Sequence, residues 1–484
     1  MCGIVGIYKT SDDVCSEIYD GLIQVQHRGQ DAAGISTWDG SKMHLQKELG
    51  LVTEAFKQDS SYSHLVGNIG IGHVRYPTAG SDEVGEAQPF HTANPVNITL
   101  AHNGTLINSE EIREDLVKTH FCQFNTNSDS EVLLNLFAYE LYRTNFRKLT
   151  NQHIYKALKG VFGKCQGGYA VAMLVAGIGL VAFRDPNGIR PLSIGKRKDS
   201  IMVASESSAL TALEFEILSS VAPGQAIIIN ENGELFKRWI TRGSKHLPCL
   251  FEFVYFSRPD SNIDSISVHK TRLRMGDFLG EKVKNEYNGL NIDVVIPIPD
   301  TSRTAAMQVA FKLGVKYREG FMKNRYIGRT FIMPGQSLRK RTVKQKLNPI
   351  DIEFNNKNVL LVDDSIVRGH TSKRIIQMVK NSGAKKVYFA SASPPIRFQN
   401  IYGIDMPATK ELIAHKRSIN QIKKAIGADE LIYQNLEDLK MAAHIGNPKI
   451  KEFEDSVFTG QYNVGTVTRE FLSSLEKSRL DSNR

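Results

Sequence analysis

The stretch VLLVDDSIVRGHTS, residues 359–372, constrains the fold more than any other part of the chain. Four apolar residues predict a buried strand, and two carboxylates, Asp363 and Asp364, end it. A loop with Gly, Ser and Thr then leads into a helix, whose first N–H groups can hold a phosphate. Because open α/β sheets bind ligands at the carboxyl ends of their strands, this order predicts a parallel sheet with a phosphate site at that edge. Adjacent carboxylates there suit a pair of sugar hydroxyls or a hydrated Mg²⁺.

Two more apolar strands flank this motif in the second half of the chain. DVVIPIP ends in Asp300, Thr301 and Ser302, and KVYFASASPPI follows the phosphate loop. Helical patterns separate the strands, the longest at about 268–287. This alternation is typical of a doubly wound α/β sheet. Residues 408–480 are richer in helical patterns, so we expect a helical C-terminal extension.

The first half of the chain has a different pattern. Short β-runs broken by Gly turns, such as GIVGIY, NIGIGHVRY and GGYAVAMLVAGIGLVAFRD, alternate with a few helical segments. This mixture indicates an α+β sandwich with its helices on the outside. At 484 residues the chain is too long for one core, and its pattern loses a clear period near 235–250. We therefore predict one domain over 2–235 and a second over 250–484.

Positive charge is concentrated in one segment. The formal net charge is +10, and the segment from Lys316 to Lys346 holds ten Lys or Arg and one acid, Glu319, a net +9. A concentrated basic loop suits a compact polyanion such as a diphosphate, and the alternative is a solvated basic surface. No aromatic stacking platform lies among these residues, so we expect no nucleic-acid partner.

Cysteine usage and hydropathy indicate the cellular compartment in which we expect the protein. The five cysteines, at 2, 15, 122, 165 and 249, are scattered and form no CxxC pair. This argues against a disulfide framework or a zinc site and favours a reducing, cytoplasmic compartment. No stretch reaches eighteen apolar residues, so we expect no membrane span.

Cys2 directly follows the initiator methionine. We expect Met1 to be removed, which leaves a thiol and a free α-amino group on the same residue. That amine titrates near ~8 and can serve as the base for its own side chain. The alternative is an inert cysteine buried in the first strand.

The motif at 359–372 resembles the 5-phosphoribosyl-1-diphosphate (PRPP) site of type I phosphoribosyltransferases, although His370 stands where that family most often has Thr. The resemblance implies that the two aspartates address the ribose hydroxyls and Mg²⁺, that the loop holds the 5-phosphate, and that residues 323–348 form a cationic lid over the diphosphate. The implied PRPP-binding residues are Asp363, Asp364, Ser365, Arg368, Gly369, Thr371, Ser372, Lys323 and Arg325. The implied ligands of one Mg²⁺ per subunit are Ser302, Asp363 and Asp364.

Five motifs of the first half occur in the order found in class II, N-terminal-nucleophile glutamine amidotransferases, which they resemble. They are MCGIVGIY, LIQVQHRGQDAAGI, GHVRYPTAG, AHNGTLIN and NTNSDSE. The resemblance implies an αββα sandwich with Cys2 as the nucleophile. It also implies an oxyanion hole from Asn103 and Gly104, and places Arg75 on the glutamine α-carboxylate and Asp129 on its ammonium.

Together the two halves resemble the amidophosphoribosyltransferase family, in its bacterial form. The resemblance implies a glycosyltransferase that turns glutamine, PRPP and water into 5-phosphoribosylamine, glutamate and diphosphate, the first step of de novo purine biosynthesis. It also implies purine nucleotides as feedback inhibitors and a cytoplasmic homotetramer. Some members carry an iron–sulfur cluster. We expect none here, because Cys249 alone matches a ligand and Asn400, Glu454 and Val457 take the other three places.

Two alternatives belong to other classes. Glucosamine-phosphate synthase, asparagine synthetase and glutamate synthase share such a first half, but LLVDDSIVRG suits none of their second halves. A non-catalytic PRPP or nucleotide sensor would predict loss of the Cys2 thiol or of one aspartate, and both are present.

Overall fold

The computed structural model describes residues 2–57, 63–76, 84–120, 122–323 and 347–481. The first half is built from two antiparallel sheets. Its strands are β1 (Gly3–Tyr8), β2 (Ala32–Trp38), β3 (Met43–Leu49), β4 (Ile69–Arg75), β5 (Phe90–Thr92), β6 (Ile98–Leu106), β7 (Gly167–Val175), β8 (Gly179–Arg184), β9 (Ser193–Arg197), β10 (Ser200–Ala204), β11 (Glu216–Ser220), β12 (Gln225–Asn230) and β13 (Leu235–Trp239).

The two sheets face each other between helices. Strand order is β11-β9-β10-β1-β4-β2-β3 in one sheet and β13-β12-β8-β7-β6-β5 in the other. Apolar side chains from both sheets, such as Ile4 on β1 and Leu180 on β8, form the core between them. The helices of this half are α1 (Cys15–Val25), α2 (Val52–Ala55), α3 (Ser109–His120), α4 (Asp129–Tyr142), α5 (Asn151–Lys164) and α6 (Ser207–Ala212).

Each helix layer covers the outer face of one sheet. Ile18 and Leu22 of α1 join a core with Val5 of β1, while Leu133 of α4 and Leu158 of α5 join another beneath the second sheet. The buried stripe of each helix explains its position, because an amphipathic helix must cover an apolar sheet face. The predicted αββα sandwich is confirmed.

The second half contains a parallel sheet of five strands. The strands of the second half are β14 (Asn262–Ile263), β15 (Ile266–Ser267), β16 (Val294–Pro297), β17 (Lys316–Tyr317), β18 (Phe321–Lys323), β19 (Leu347–Pro349), β20 (Asn358–Asp363), β21 (Lys386–Ser391) and β22 (Glu430–Tyr433). The parallel sheet has the order β17-β16-β20-β21-β22, and the other four strands form two short hairpin pairs. The predicted parallel α/β sheet is confirmed.

Helices pack on both faces of this sheet. They are α7 (Val268–Glu286), α8 (Arg303–Leu313), α9 (His370–Asn381), α10 (Ile419–Ile426), α11 (Leu436–His444), α12 (Ser456–Thr459) and α13 (Arg469–Asp481). The register places Val362 beside Pro297 and Asp363 beside Ser391. The carboxyl ends of three strands therefore meet at one edge, where Asp363 and Asp364 lie.

The structure differs from the sequence expectations in two places. The C-terminal extension expected to be helical also contributes β22, which adds a fifth strand to the parallel sheet. The boundary expected after residue 235 falls at the start of β13, whose residues 235–239 pair with β12. The first sandwich therefore continues to Trp239.

Buried ion pairs join the two halves. Arg184 at the end of β8 donates to both carboxylate oxygens of Asp264, at 2.6 and 2.8 Å, and both side chains are buried. Burial alone would raise the pKa of Asp264, but the Arg184 guanidinium and then His246 outweigh it and hold that pKa well below its usual range.

Within the described ranges, we find no helix long and apolar enough to cross a membrane.

We predict that Asp264→Asn lowers the melting temperature by about 5 °C or more, because it leaves the Arg184 charge buried and unpaired. The pKa of Asp264 is lowered on folding. The stability that its carboxylate contributes is therefore complete at pH values above its unfolded pKa of ~4 and is lost progressively as the pH falls below that value. The gap between wild type and variant should therefore narrow as the pH falls below ~4, as measured by calorimetry. The control is Glu452→Gln, which breaks only the exposed pair of Lys245 with Glu452 and should shift melting by no more than ~1 °C.

Candidate active sites in the two halves

Cys2 lies immediately before β1, in the middle of the first sheet, where Gly3 pairs with Val74 of β4. The side chain is buried. Its backbone N donates to Oδ1 of Asn103 at 3.3 Å, and its Sγ lies 3.9 Å from the carbonyl of Tyr76. The Cys2 carbonyl accepts from Nε of Arg28 at 3.2 Å. The thiol is thus held at the end of a rigid central strand by contacts to three other segments.

Asn103 and Gly104 lie on β6 of the second sheet, and Asn103 contacts Cys2. Oδ1 of Asn103 accepts from the backbone N of Cys2, and its buried amide Nδ2 has no hydrogen-bond partner among the described residues. An unpaired buried donor on a side chain that contacts Cys2 suits an oxyanion. Gly104 has a φ of +151°, and a Cβ there would lie 2.1 Å from the carbonyl oxygen of Gly168. Only glycine fits this position.

The two predicted glutamine ligands already have protein partners. Arg75 donates to Oε2 of Glu86 at 2.5 Å. Asp129, the first residue of α4, accepts from the backbone N of Leu106 at 2.9 Å. The carboxylate of Asp129 keeps an exposed fraction of 23%, enough to reach a ligand. Glu86 was not expected from the sequence, since no motif marks this loop acid.

A buried polar network fixes the strand that carries Asn103. The backbone N of His102 donates to Oε1 of Gln88 at 2.7 Å, and its Nδ1 lies 3.0 Å from Oγ of Ser130. Gln88 also donates to Ser130 at 3.0 Å. Burial lowers the pKa of His102, and burial lowers that of the nearby His73 to about 3, so both imidazoles are neutral. The network therefore positions β6 against the start of α4.

The second site surrounds the carboxylate pair at the end of β20. Oδ1 of Asp363 accepts from the backbone N of Asp364 at 3.0 Å. Asp364 accepts from the hydroxyls of Thr301 and, at 2.7 Å, Ser365. Burial raises the pKa of both carboxyls, and the charge of Asp364 raises that of Asp363 further. A half-buried and a buried carboxylate that disfavour each other's charge form a pair that fits a divalent cation.

Thr301 and Ser302 follow the end of β16. Thr301, which was not among the expected ligands, contacts Asp364 directly. Ser302 is buried, and its hydroxyl donates to the carbonyl of Ile298 just before α8. Lys323 reaches the same edge, with its Nζ 2.6 Å from Oδ2 of Asp300. The remainder of the expected lid, 324–346 with Arg325, lies outside the described residues.

The loop after Asp364 leads into the N-terminus of α9. Gly369, with φ of +75°, is the residue before this helix, and a Cβ on it would lie 2.2 Å from Cδ1 of Ile413. Ser372 is buried in the first turn, Thr371 is exposed, and Arg368 pairs with Glu411 at 3.1 Å. The first N–H groups of a helix and its positive end are suited to an anion, so the start of α9 could hold a phosphate.

A loop of the second half touches the first site. Gly403 has a φ of +105°, and a Cβ there would lie 2.8 Å from Cα of Gly104. Asn400 supports this loop, because its Oδ1 accepts from the backbone N of Tyr402 at 2.8 Å and of Ile404 at 3.0 Å. Its Nδ2 donates to Glu454 at 3.3 Å. The second half therefore contacts the first site through backbone.

Cys249, Asn400 and Glu454 lie together, as the resemblance implied for the positions of a cluster. Cys249 and Glu454 form a backbone bridge, and Val457 belongs to the adjacent apolar core. This donor set has one thiol, an amide and a carboxyl that hydrogen-bond one another. A cubane held by four thiolates does not fit these residues.

Comparisons with known proteins agree with this geometry. A family model described as a glutamine amidotransferase domain matches residues 73–212, and one described as a phosphoribosyl transferase domain matches 263–393. The chain is 53% identical over 488 residues to an amidophosphoribosyltransferase of Pseudomonas aeruginosa, covering 100% of this chain and 97% of the relative. It is 53% identical to that of Escherichia coli, covering 99% of this chain and 96% of the relative.

Solved structures give the same result. A glutamine PRPP amidotransferase from Bacillus subtilis, complexed with ADP and GMP, superposes with a TM-score of 0.84 at 36% identity, covering 97% of this chain and 98% of that one. A structure described as the allosteric regulatory enzyme of purine biosynthesis has a TM-score of 0.85 at 36% identity, covering 98% and 99%.

We predict that Gly104→Ala lowers glutamine hydrolysis by about 100-fold, because the added methyl displaces β6 from β7 and moves the Asn103 amide away from the thiol. Glutamate release measures this effect. Gly163→Ala on α5, where a Cβ would meet no atom within 4 Å, is the control and should leave hydrolysis unchanged. Equal rates in the two variants would show that the tight fit at residue 104 is irrelevant to the site.

Proposed function

Because the chain belongs to the amidophosphoribosyltransferase family and transfers the amide nitrogen of glutamine to PRPP, we propose that the two described sites divide this reaction. Cys2 and its neighbours release ammonia, and the carboxylate edge of the second half uses it. The observation that carries this division is Cys2 hydrogen-bonded to Asn103, whose amide nitrogen is unpaired, in a different half from the Asp363–Asp364 pair.

In the first half, Cys2 is the proposed nucleophile. Once Met1 is removed, the nitrogen that donates to Asn103 becomes an α-amino group able to take the thiol proton. Sγ bonds to the amide carbon of glutamine, the C–N bond breaks, and the amine returns the proton to the leaving nitrogen as ammonia. Water then cleaves the thioester to glutamate. Asn103 Nδ2 and the Gly104 N–H stabilise the oxyanion in both steps.

Glutamine itself is held by charge. Arg75 binds its α-carboxylate and Asp129 its ammonium, each as a charge-assisted pair. The contact of Arg75 with Glu86 orients the guanidinium before glutamine arrives. We propose that this pre-orientation, rather than a free arginine, determines how glutamine is aligned with Sγ.

In the second half, ammonia attacks C1 of PRPP while the bond from C1 to the diphosphate oxygen breaks, and one proton is released. Asp363 and Asp364 hold the ribose hydroxyls. The loop with Ser365, Arg368 and Gly369, followed by Thr371 and Ser372, holds the 5-phosphate, and Lys323 and Arg325 are the proposed cations for the diphosphate. One Mg²⁺ per subunit would be held by Ser302, Asp363 and Asp364 and would supply positive charge to the leaving diphosphate.

Other features of the proposal rest on the family. We propose a cytoplasmic homotetramer without an iron–sulfur cluster. The single thiol among Cys249, Asn400, Glu454 and Val457 supports the last point, and free thiols at all five cysteines suit a reducing compartment. Stoichiometric iron and sulfide in the purified protein would contradict it.

A crossed comparison tests the division. Cys2→Ala should abolish synthesis from glutamine and leave synthesis from ammonia unchanged, because the second site keeps all its groups. Asp363→Asn should lower synthesis by about 100-fold or more with either nitrogen donor, since it removes a charge that contacts the reacting sugar. Diphosphate release from PRPP measures both. Loss of both activities in Cys2→Ala would rule the division out.

We also predict that GMP and AMP inhibit. A site shaped for ribose 5-phosphate accepts a nucleoside monophosphate, and the Bacillus subtilis relative is described in complex with ADP and GMP. Inhibition should be strongest at low PRPP and should weaken as PRPP is raised, measured by ammonia-dependent diphosphate release. An unchanged rate of diphosphate release at low PRPP in the presence of millimolar GMP and AMP would contradict this prediction.

A further inference from the structure

Arg28 connects the nucleophile to two buried carboxylates. Its side chain is wholly buried. Nε donates to the carbonyl of Cys2 at 3.2 Å, Nη1 to Glu206 at 2.5 Å, and Nη2 to Oε1 of Glu252 at 2.6 Å. One planar group thus holds the backbone of Cys2 and is itself held from two sides. A guanidinium is suited to this role because its five N–H groups point in fixed directions.

The two carboxylates come from different parts of the fold. Glu206 precedes α6 in the first sandwich and also accepts from His27 at 2.7 Å and from Ser261 at 2.8 Å. Glu252 begins a π-helical turn at Glu252–Phe256, in the connection between the halves. Its Oε2 accepts from Oγ of Ser257 at 2.6 Å. Hydrogen bonds therefore fix the orientation of both carboxylate oxygens of Glu252.

The turn that carries Glu252 is fixed from the other side by the second half. Arg272 on α7 donates to the carbonyls of Phe253 at 2.9 Å and Ser257 at 2.9 Å. Glu252 thus reaches Arg28 from a segment that α7 holds in place. The support that α7 gives to Glu252 thus comes from outside the first sandwich.

Charges of both signs meet in this cluster. Arg28 and Arg190 face Glu206 and Glu252, with Arg190 Nη1 3.6 Å from Glu252. Burial alone would raise the pKa of Glu252, but Arg28 and Arg190 outweigh it and lower that pKa below its ordinary value. Glu252 is ionised at neutral pH, and removing its charge leaves the two guanidiniums facing one carboxylate.

We propose that Glu252 is a positioning residue for glutamine hydrolysis, which acts through Arg28 to fix the carbonyl of Cys2 and so the directions of its nitrogen and its Sγ. The proposal rests on Cys2 being the nucleophile, as proposed above. Without the Glu252 charge, Glu206 pulls the guanidinium from one side and Nε loses its alignment with the Cys2 carbonyl. A displacement of about 1 Å at a reacting group is enough to cost about 100-fold in rate.

The test is Glu252→Gln, which keeps the shape and removes the charge. We expect glutamine-dependent kcat to fall about 10- to 100-fold, because the nucleophile is misaligned. The KM for glutamine should stay within about twofold, since Glu252 contacts neither Arg75 nor Asp129, and ammonia-dependent synthesis should also stay within about twofold. Alkylation of Cys2 by iodoacetamide should slow together with kcat.

Asp264→Asn is the matched control, because it also removes a buried carboxylate from a guanidinium at the same junction but not from one that touches Cys2. It should lower the melting temperature without separating the two activities. If Glu252→Gln does not fold, Arg28→Lys replaces it, since one ammonium cannot hold both carboxylates and the Cys2 carbonyl. The same separation of activities is expected.

The outcomes are distinct. An unchanged glutamine-dependent rate in the variant, or an equal loss of both activities, overturns the role of Glu252. A Cys2→Ala protein that still hydrolyses glutamine overturns the proposed function instead. Selective loss of the glutamine reaction in Glu252→Gln, with no such loss in Asp264→Asn, supports the inference.

Discussion

Pairing of buried charges at the junction is the interaction on which the two-site architecture depends. Arg184 with Asp264, and Arg28 with Glu206 and Glu252, place full charges where water does not reach. Breaking such a pair leaves an unpaired charge in a low-dielectric interior, which costs several times more than an exposed pair contributes. The connection between the halves is therefore fixed at these points, and each half presents its site to the other in a defined orientation.

Both sites place their reactive groups at the ends of strands. Cys2 stands before β1 in the centre of one sheet, and Asp363 ends β20 in the centre of another. A central strand is hydrogen-bonded on both sides, so groups at its end are positioned more rigidly than groups on a loop. In the proposed function, the contacts to ligands come from loops around these fixed points, including the turn into α9. In each half, the groups proposed to react therefore lie at the ends of rigid strands, and the groups proposed to bind ligands lie on loops.

The sequence was sufficient where the contacts are local. Residues 359–372 form a strand, a carboxylate pair, a loop and a helix in the predicted order, because each of those features depends on neighbours along the chain. Thr301 could not be assigned, since its partner Asp364 is 63 positions away. Glu252 carries no motif and acquires its role only when folding brings it to Arg28. Strand β22 was missed because its four residues, ELIY, lie between helical patterns and are too short to show a period.

The backbone contact between Gly104 and Gly403 has a consequence for how such a chain can change over time. The two residues come from different halves. A methyl group on Gly403 would lie 2.8 Å from Cα of Gly104, whereas one on Gly104 would strike Gly168 of its own half. A substitution at Gly403 is therefore constrained by the first half as well as by its own loop. The halves therefore cannot be exchanged freely with other glutaminases or other phosphoribosyltransferases, because a new module would need the same bare backbone at this seam.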